Sequence, residues 1–360
     1  MFVNSVIEQI LSKISAEIEN PTPELASFSV KEIVEAQIAN LDLSLQTRLR
    51  NDFFEFGPLT KLLENFEVTE ILVNGPNNIW YEIKGQLHLL DDGFFTISNF
   101  ANFVDRISSV IGVQVSLNRP FADGRYKNFR VNIVNSSVTT AFPSISFRRH
   151  PDNPWTLQKL LEVGWCKQHQ YDWLNHIVQS NGNILVAGPT SSGKTSVLNA
   201  LLGLTGPNCR SLIVEDSEEL VLPNKACLRL ITREDPYAEN MKVELSHLVR
   251  QSLRLRPDRI VVGEIRGPEA KDLLMALSTG HKGSWGTLHA SDVRQALFRL
   301  EMLVQLGAPQ WGLTAVRSLI RLGIDYIVIC HRLSTGQRKL EGIYRVTSLE
   351  DSGVITEKVD

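Results

Sequence analysis

The sequence predicts an α/β protein of two domains behind a short helical arm: an α+β domain, then a domain with a mainly parallel sheet. Three observations carry this. At 360 residues and about 150 residues per domain, two domains are expected. From Thr69 the spacing of apolar residues turns from helical to short β-rich runs separated by turns. Beyond residue 160, strand and helix patterns alternate, which implies parallel strands covered on both faces. Apolar residues are 43% and charged residues 21%, ordinary for a soluble chain and incompatible with an intrinsically disordered one. The net charge of −3 supplies no overall basic field, so neither nucleic acid nor an anionic lipid surface is an expected partner.

The arm is residues 1–50. Apolar side chains at Val3, Ile7, Ile10, Ile14 and Ile18 step by three and four, as on one helix face. Asn20-Pro21-Thr22-Pro23 stops that helix. Val30, Val34, Ile38, Leu41, Leu45 and Leu49 predict a second. Their polar faces carry Glu8, Glu17, Glu19, Glu32 and Glu35, the wrong sign for lying on a membrane. A small helical subdomain or a partner-facing arm remains. No run reaches the 18 apolar residues of a membrane span, and the N-terminus lacks the basic region of a signal peptide. Cys166, Cys209, Cys227 and Cys330 form no C-x-x-C pair. They read as reduced thiols of a cytosolic protein, with no zinc site expected.

Residues 51–147 form the α+β domain. Glu70–Asn74, Ile79–Ile83 and Gln86–Leu90 are strands separated by Gly75-Pro76-Asn77 and Lys84-Gly85. A helix over Ile97–Ile111 and strands over Arg130–Val134 and Ser144–Phe147 follow. A polar stretch with two prolines, beginning Arg148-Arg149-His150, opens a linker over 148–160. In the domain 161–360, strands are expected at Asn183–Ala187, Ser211–Glu215, Leu228–Thr232, Arg259–Gly263, Ser284–Leu288 and Asp325–Cys330. A hairpin turns at Ser334-Thr335-Gly336-Gln337.

Gly188-Pro189-Thr190-Ser191-Ser192-Gly193-Lys194-Thr195 fits G-x-x-x-x-G-K-[ST] at every fixed position, after a strand and before a helix. Glycines let the loop wrap phosphate oxygens, and the backbone N–H groups through Ser196 face the anion. Lys194 reaches the β and γ phosphates, and the Thr195 hydroxyl suits Mg²⁺. Hydrolysis further needs a carboxylate to position water. Glu264 ends the apolar strand Arg259–Gly263, and ligands in such sheets sit at strand carboxyl ends. Gly263 stands where many nucleotide hydrolases carry an Asp. Glu215-Asp216-Ser217-Glu218-Glu219 ends a second strand and offers acids to the metal from the other side. His281 and His289 flank a glycine-rich strand entry. Without a third ligand nearby they do not suit a metal. Each is either a satisfied structural histidine or a donor to the γ-phosphate.

Residues 1–150 carry 13 Lys and Arg against 17 Asp and Glu, yet Leu117–His150 holds six basic residues and one acid, Asp123. This strip is either a solvated basic face or a set of guanidiniums completing a nucleotide site in the same or a neighbouring chain.

The combination resembles the secretion-superfamily traffic ATPases. The phosphate loop is followed by an acidic box (Ile213–Leu220), an atypical second nucleotide box (Leu255–Gly267) and a histidine box (Thr279–Ala290). Phe56-Gly57-Pro58-Leu59, Val68–Gly75 and Ile145-Ser146-Phe147-Arg148-Arg149 further resemble the CpaF-type ATPases of Tad/Flp pili. The likeness spans residues 50–350 and lacks the cysteine-rich zinc module of some extension motors. It implies a PAS-like N-terminal domain and a RecA-like ATPase domain, assembled as a homohexamer. The ring would sit in the cytoplasm, at the inner membrane through platform proteins, with type IV secretion as the alternative setting. ATP and Mg²⁺ are the implied cofactors. Lys194 and Thr195 would bind phosphate and metal, and Glu264 would be the general base. Glu215 and Glu219 would assist the metal. His281 and His289 would sense the γ-phosphate or sit at the domain junction. Arg125, Arg130 and Arg148 would stabilise charge.

Overall fold

The chain falls into two units, Met1–Asp152 and Asn153–Asp360, each built round its own sheet. The structure, a computed structural model, describes residues 2–19, 28–150, 154–233, 242–333, 335–351 and 353–360.

In the N-terminal unit, helices α1 (Phe2–Glu19), α2 (Val30–Ile38) and α3 (Leu43–Phe54) share a small core of Ile7, Leu11, Ile14, Val34, Ile38 and Leu49. Glu17 of α1 accepts from the Gln37 side chain of α2 at 2.8 and 3.0 Å. The expected stop at Asn20–Pro23 lies outside the described residues. The single helix expected over 30–49 is two. Asp42 ends the interruption and caps α3, accepting from Leu45 N at 3.0 Å, because a short acidic side chain favours a cap over a helix interior. The expected domain boundary at residue 50 therefore falls inside α3.

After the short helix α4 (Thr60–Glu64) come β1 (Val68–Val73), β2 (Ile79–Ile83), β3 (Gln86–Leu89), α5 (Ile97–Val110), β4 (Phe121–Tyr126), β5 (Phe129–Val134) and β6 (Ser144–Arg149). The strands form one antiparallel sheet in the order β3-β2-β1-β6-β5-β4. Phe100, Phe103 and Ile107 of α5 pack with Val131, Ile133 and Phe147. Strand β4 was not expected: its Asp123-Gly124 pair is poor strand sequence, and pairing with β5 overrides it. Strand β6 continues to Arg149, past the expected linker start at Arg148. The Arg149 guanidinium holds it there by donating to the carbonyls of Val68, Leu63 and Asn65 at 2.7–2.9 Å. Residues 151–153 of the expected linker lie outside the described residues.

The C-terminal unit runs α6 (Leu157–Glu162), α7 (Gln168–Gln179), β7 (Ile184–Gly188), α8 (Lys194–Leu202), β8 (Ser211–Glu215), β9 (Leu228–Ile231), α9 (Leu245–Ser252), β10 (Arg259–Val262), α10 (Glu269–Ser278), β11 (Trp285–His289), α11 (Val293–Gly307), α12 (Leu313–Gly323), β12 (Tyr326–Arg332), β13 (Arg338–Glu350) and β14 (Gly353–Lys358). The sheet order is β14-β13-β12-β7-β11-β10-β8-β9. Neighbours from β12 to β9 are parallel, and β13 and β14 add antiparallel. The expected hairpin is the β12–β13 pair, with Ser334 of its turn outside the described residues. Strand β14 was not expected.

Every residue of β7, β8 and β10 is buried. Alternate side chains serve opposite faces: Leu185, Val214, Ile260 and Val262 join one core, while Ile184, Val186, Ile213 and Val261 join the other. Parallel register then gathers strand ends. His289 pairs with Gly188, and Val262 with Val214. Gly188, Glu215, Gly263 and His289 thus share the carboxyl edge of the sheet.

Candidate active site

At that edge β7 passes into a loop that turns back at Gly193 to start α8. Gly193 has φ +92° and Ser191 φ +60°, left-handed geometry that opens the loop and points successive N–H groups inward. Gly188 is equally constrained, since a Cβ there would lie 2.5 Å from the Cys330 carbonyl oxygen. Residues Gly188–Ser196 thus form a tight loop at the N-terminus of α8, the kind of position at which backbone N–H groups favour an anion.

Lys194 is 7% exposed. Its ammonium donates to the carbonyls of Gly188 and Pro189 at 3.1 Å each and meets His289 Nδ1 at 3.2 Å. The other ring nitrogen, His289 Nε2, lies 2.9 Å from Glu264 Oε1. These partners assign the tautomer: Nδ1 accepts from the lysine, and Nε2–H donates to the carboxylate. Burial and the lysine's charge lower the histidine's pKa and keep it neutral, against the opposing pull of Glu264. Burial lowers that of Lys194, again opposed by Glu264.

Glu264 completes the line. Its Oε2 accepts from Arg266 at 2.5 Å, and Arg266 also faces Asp216 at 3.7 Å. Burial alone would raise this carboxyl's pKa. The Arg266 hydrogen bond and the charges of Arg266, His289 and Lys194 outweigh burial and hold it below the usual value. Glu264 is thus an ionised carboxylate with one oxygen on a histidine and the other on an arginine.

The acid cluster after β8 divides its labour. Glu215, 3% exposed, accepts from the N–H groups of Glu219 and Leu220 at 3.1 and 2.9 Å and from Arg229 Nε at 3.2 Å. Burial pushes its carboxyl up to about 7 against these bonds. It shapes the turn that presents Glu219, whose carboxylate accepts from the Thr195 hydroxyl at 3.2 Å. Glu215 also accounts for Gly263: a Cβ there would come within 2.9 Å of Glu215 Cγ. The neighbouring strand's acid fills the space that an Asp at 263 would need.

His281 is not brought to this edge. It precedes β11, whose first residue, Trp285, pairs with Ile184 at the amino end of β7, and its Nδ1 faces the Ala276 carbonyl at 3.2 Å. Four strand steps of about 3.3 Å separate the ends of β11, so the γ-phosphate role expected for His281 does not fit. Three residues that the sequence reading did not single out belong to the site. Arg266 holds Glu264, Arg229 holds Glu215, and Arg338 donates from Nε to the Ser191 carbonyl at 2.9 Å. Only Arg266 had a local signal, two residues beyond a strand-end acid.

In the N-terminal unit, the three expected arginines form one cross-strand row. Arg125 of β4 pairs with Arg130 of β5, Arg130 with Arg148 of β6, and Arg148 with Glu70 of β1. Directly paired residues share a sheet face. Arg130 meets Asp123 at 3.4 Å, and Arg125 donates to the Lys127 carbonyl at 2.9 Å. Three guanidiniums in register make this face a candidate anion platform.

The oxygen donors near the loop are the Thr195 hydroxyl and the Glu219 and Glu264 carboxylates, while both His289 nitrogens are taken by Lys194 and Glu264. Hard oxygen donors, one or two at a time with phosphate and water, suit Mg²⁺. Among the described residues there is no group of three or more His, Cys, Asp or Glu able to hold a metal. No helix among the described residues is long and apolar enough to cross a membrane.

Comparison with known proteins gives these geometries a context. A family model described as "Type II/IV secretion system protein" matches residues 53–333. A Mycobacterium tuberculosis protein named "Putative conjugal transfer protein" is 32% identical over 313 residues, covering 85% of this chain and 87% of that one. The type IV secretion system protein PtlH homolog of Bordetella bronchiseptica is 28% identical over 78% of this chain and 90% of its own. Among solved structures, the Legionella pneumophila ATPase DotB has a TM-score of 0.60 at 19% identity, covering 84% of this chain and 82% of that one. The pilus retraction motor PilT with bound ADP has a TM-score of 0.56 at 20% identity, covering 83% and 80%. At these identities the structural likeness is one of fold.

Proposed function

The chain belongs to the type II/IV secretion system protein family, and on that premise we propose that it is an ATP-hydrolysing motor subunit of a secretion or pilus machine. One observation carries the hydrolytic part: the line from Lys194 through His289 to the ionised Glu264, set against the Gly188–Ser196 loop. When ATP enters, Lys194 exchanges the Gly188 and Pro189 carbonyls for phosphate oxygens. Glu264 then orients the attacking water and takes its proton. His289, a neutral donor, keeps Glu264 aimed. Mg²⁺ bound with ATP would neutralise phosphate charge, held by Thr195 with Glu219 and Glu264. The row Arg125–Arg130–Arg148 is the proposed source of further positive charge, from the same chain or a ring neighbour.

In this reading the C-terminal unit is RecA-like and the N-terminal sheet PAS-like. The subunits form a homohexamer at the cytoplasmic face of the inner membrane, held there by platform proteins. The names of the sequence relatives favour type IV secretion or conjugal transfer. The stretches Phe56–Leu59, Val68–Gly75 and Ile145–Arg149 favour a Tad/Flp-type pilus. Identifying the inner-membrane proteins that co-purify with the chain separates the two.

Steady-state phosphate release tests the activity. ATP-dependent, Mg²⁺-dependent turnover that Lys194→Ala abolishes supports it, and a chain that binds ATP without releasing phosphate contradicts it. Strong stimulation by DNA would point instead to a nucleic-acid translocase.

A further inference from the structure

Glu264 sits on a hook, residues 263–268, between the end of β10 and the start of α10. Its two carboxylate oxygens are held by His289 and Arg266. Those bonds aim the carboxylate only if the backbone beneath it is fixed too. Two buried side chains from outside the hook fix it. Thr287 of β11 is 1% exposed. Its hydroxyl donates to the Gly263 carbonyl at 2.6 Å, and its own carbonyl accepts from Ile265 N at 2.8 Å. One strand residue thus pins the neighbours of Glu264 on both sides. Ile265 then enters the core over Gly286, where a Cβ would lie 2.7 Å from Ile265 Cδ1.

Glu269, the first residue of α10, is the second clamp and is 4% exposed. Its Oε1 accepts from Arg266 N at 2.6 Å and from Gly267 N at 2.7 Å. A glutamate in a first turn ordinarily serves the helix by its charge. Here the N–H groups of Ala270 and Lys271 are already taken by the carbonyls of Gly267 and Pro268, at 3.2 and 3.1 Å. The carboxylate instead reaches backward, out of the helix and onto the hook. Among the described residues those two N–H groups are its only hydrogen-bond partners, and a buried carboxylate is costly without such bonds. Each clamp leads on to a side chain that touches Glu264. Thr287 and His289 alternate along β11 and so share a side of the strand. Arg266, whose N–H Glu269 holds, sends its guanidinium to Glu264 Oε2.

We propose that Glu269 and Thr287 are positioning residues of the hydrolysis step. They act by holding the backbone on both sides of Glu264, so that its carboxylate meets the attacking water. What Glu269 contributes is reach rather than charge. The inference rests on Glu264 being the base, as read above, and adds what keeps that base aimed.

Single-turnover ATP hydrolysis and ATP affinity, both with Mg²⁺, test it on the full chain and five variants: Glu269→Gln, Glu269→Asp, Thr287→Val, Glu264→Gln and the double variant Glu264→Gln/Glu269→Asp. Glu269→Gln keeps the length and an acceptor oxygen and loses the charge. Glu269→Asp keeps the charge and falls one methylene short. A small misplacement of a catalytic group can cost about 10²-fold, so the Asp variant should hydrolyse about 10–10²-fold more slowly. The Gln variant should stay within about threefold of the wild type. Thr287→Val loses one neutral hydrogen bond and should slow hydrolysis about fivefold; it also covers the case in which Glu269→Asp fails to fold. All three should bind ATP with wild-type affinity. Adding Glu269→Asp to Glu264→Gln should cost nothing further, since no base is left to aim. A Gln variant slower than the Asp variant, wild-type hydrolysis in both the Asp and Val variants, or the full loss repeated in the double variant overturns the positioning role and leaves the hydrolase reading standing. Wild-type hydrolysis in Glu264→Gln overturns the assignment of the base itself.

Discussion

The two ends of the C-terminal sheet use charge in opposite ways. At the amino end, Arg259 is 2% exposed, lies 3.9 Å above the Trp285 ring and donates to Asn181 at 3.2 Å. Burial pulls its guanidinium down to about 10. Nearby, Asp325 accepts from Asn183 N at 2.9 Å, and His281 rests on a helix carbonyl. These groups tie elements together. At the carboxyl end, Lys194, His289 and Glu264 form a line of side chains held to one another, the groups proposed to meet a phosphate. His281 and His289 differ by eight residues in one glycine-rich box, yet β11 runs between them and assigns one to structure and the other to the site. Position along a parallel strand, rather than closeness in sequence, decides which polar residue can do chemistry.

The sharpest way to break this contrast is to remove a charge from the carboxyl end. Lys194→Ala deletes a preorganised donor to phosphate and should lower kcat/KM for ATP about 10²–10³-fold, measured as phosphate release. His289→Ala removes the hydrogen bonds to Lys194 and Glu264 and should lower kcat by about tenfold or more. His281→Ala, at the other end, should leave nucleotide affinity and single-turnover hydrolysis unchanged. Equal losses in the two histidine variants would erase the contrast.

A smaller effect concerns acidity. Arg266→Ala leaves burial of Glu264 less opposed, so its pKa rises. The acid limb of the kcat–pH profile should move toward neutral pH, and an unmoved limb would show that Arg266 does not hold the base ionised.

The smallest effect is on stability. Glu215 has a folded-state pKa of about 7, above its unfolded value, so the folded chain holds the extra proton between them. Its contribution is present below about pH 4.5 and is lost as pH rises through about 7, at most about 3 kcal/mol. Chemical denaturation of the wild type should therefore show stability from this group declining over that window, and Glu215→Gln should flatten the decline.

Much of this was legible in the sequence because some signals are local. The phosphate loop combines a fixed string with a buried strand before it and a helix after it, and the structure keeps all three. The helix over Ile97–Val110 and most strands follow apolar periodicity. What was not legible depends on register. Strand β4 contains Asp123-Gly124 and forms only because β5 supplies a partner. The row Arg125–Arg130–Arg148 is spread over 24 positions in sequence, and antiparallel pairing alone aligns it. Arg229 and Arg338 reach the site from elements whose sequences carry no motif. The break between α2 and α3 depended on Asp42 acting as a cap, where apolar spacing alone ran on through it.

The claim on which the rest depends is that Glu264 is the base at a nucleotide site built on the carboxyl edge. Glu264→Gln keeps the side chain's shape and its bond to Arg266 or His289 while removing the basic oxygen. Measured together, ATP affinity and single-turnover hydrolysis should separate: affinity stays near the wild-type value and the hydrolysis rate falls about 10²–10⁴-fold. Hydrolysis at the wild-type rate in this variant would contradict the account.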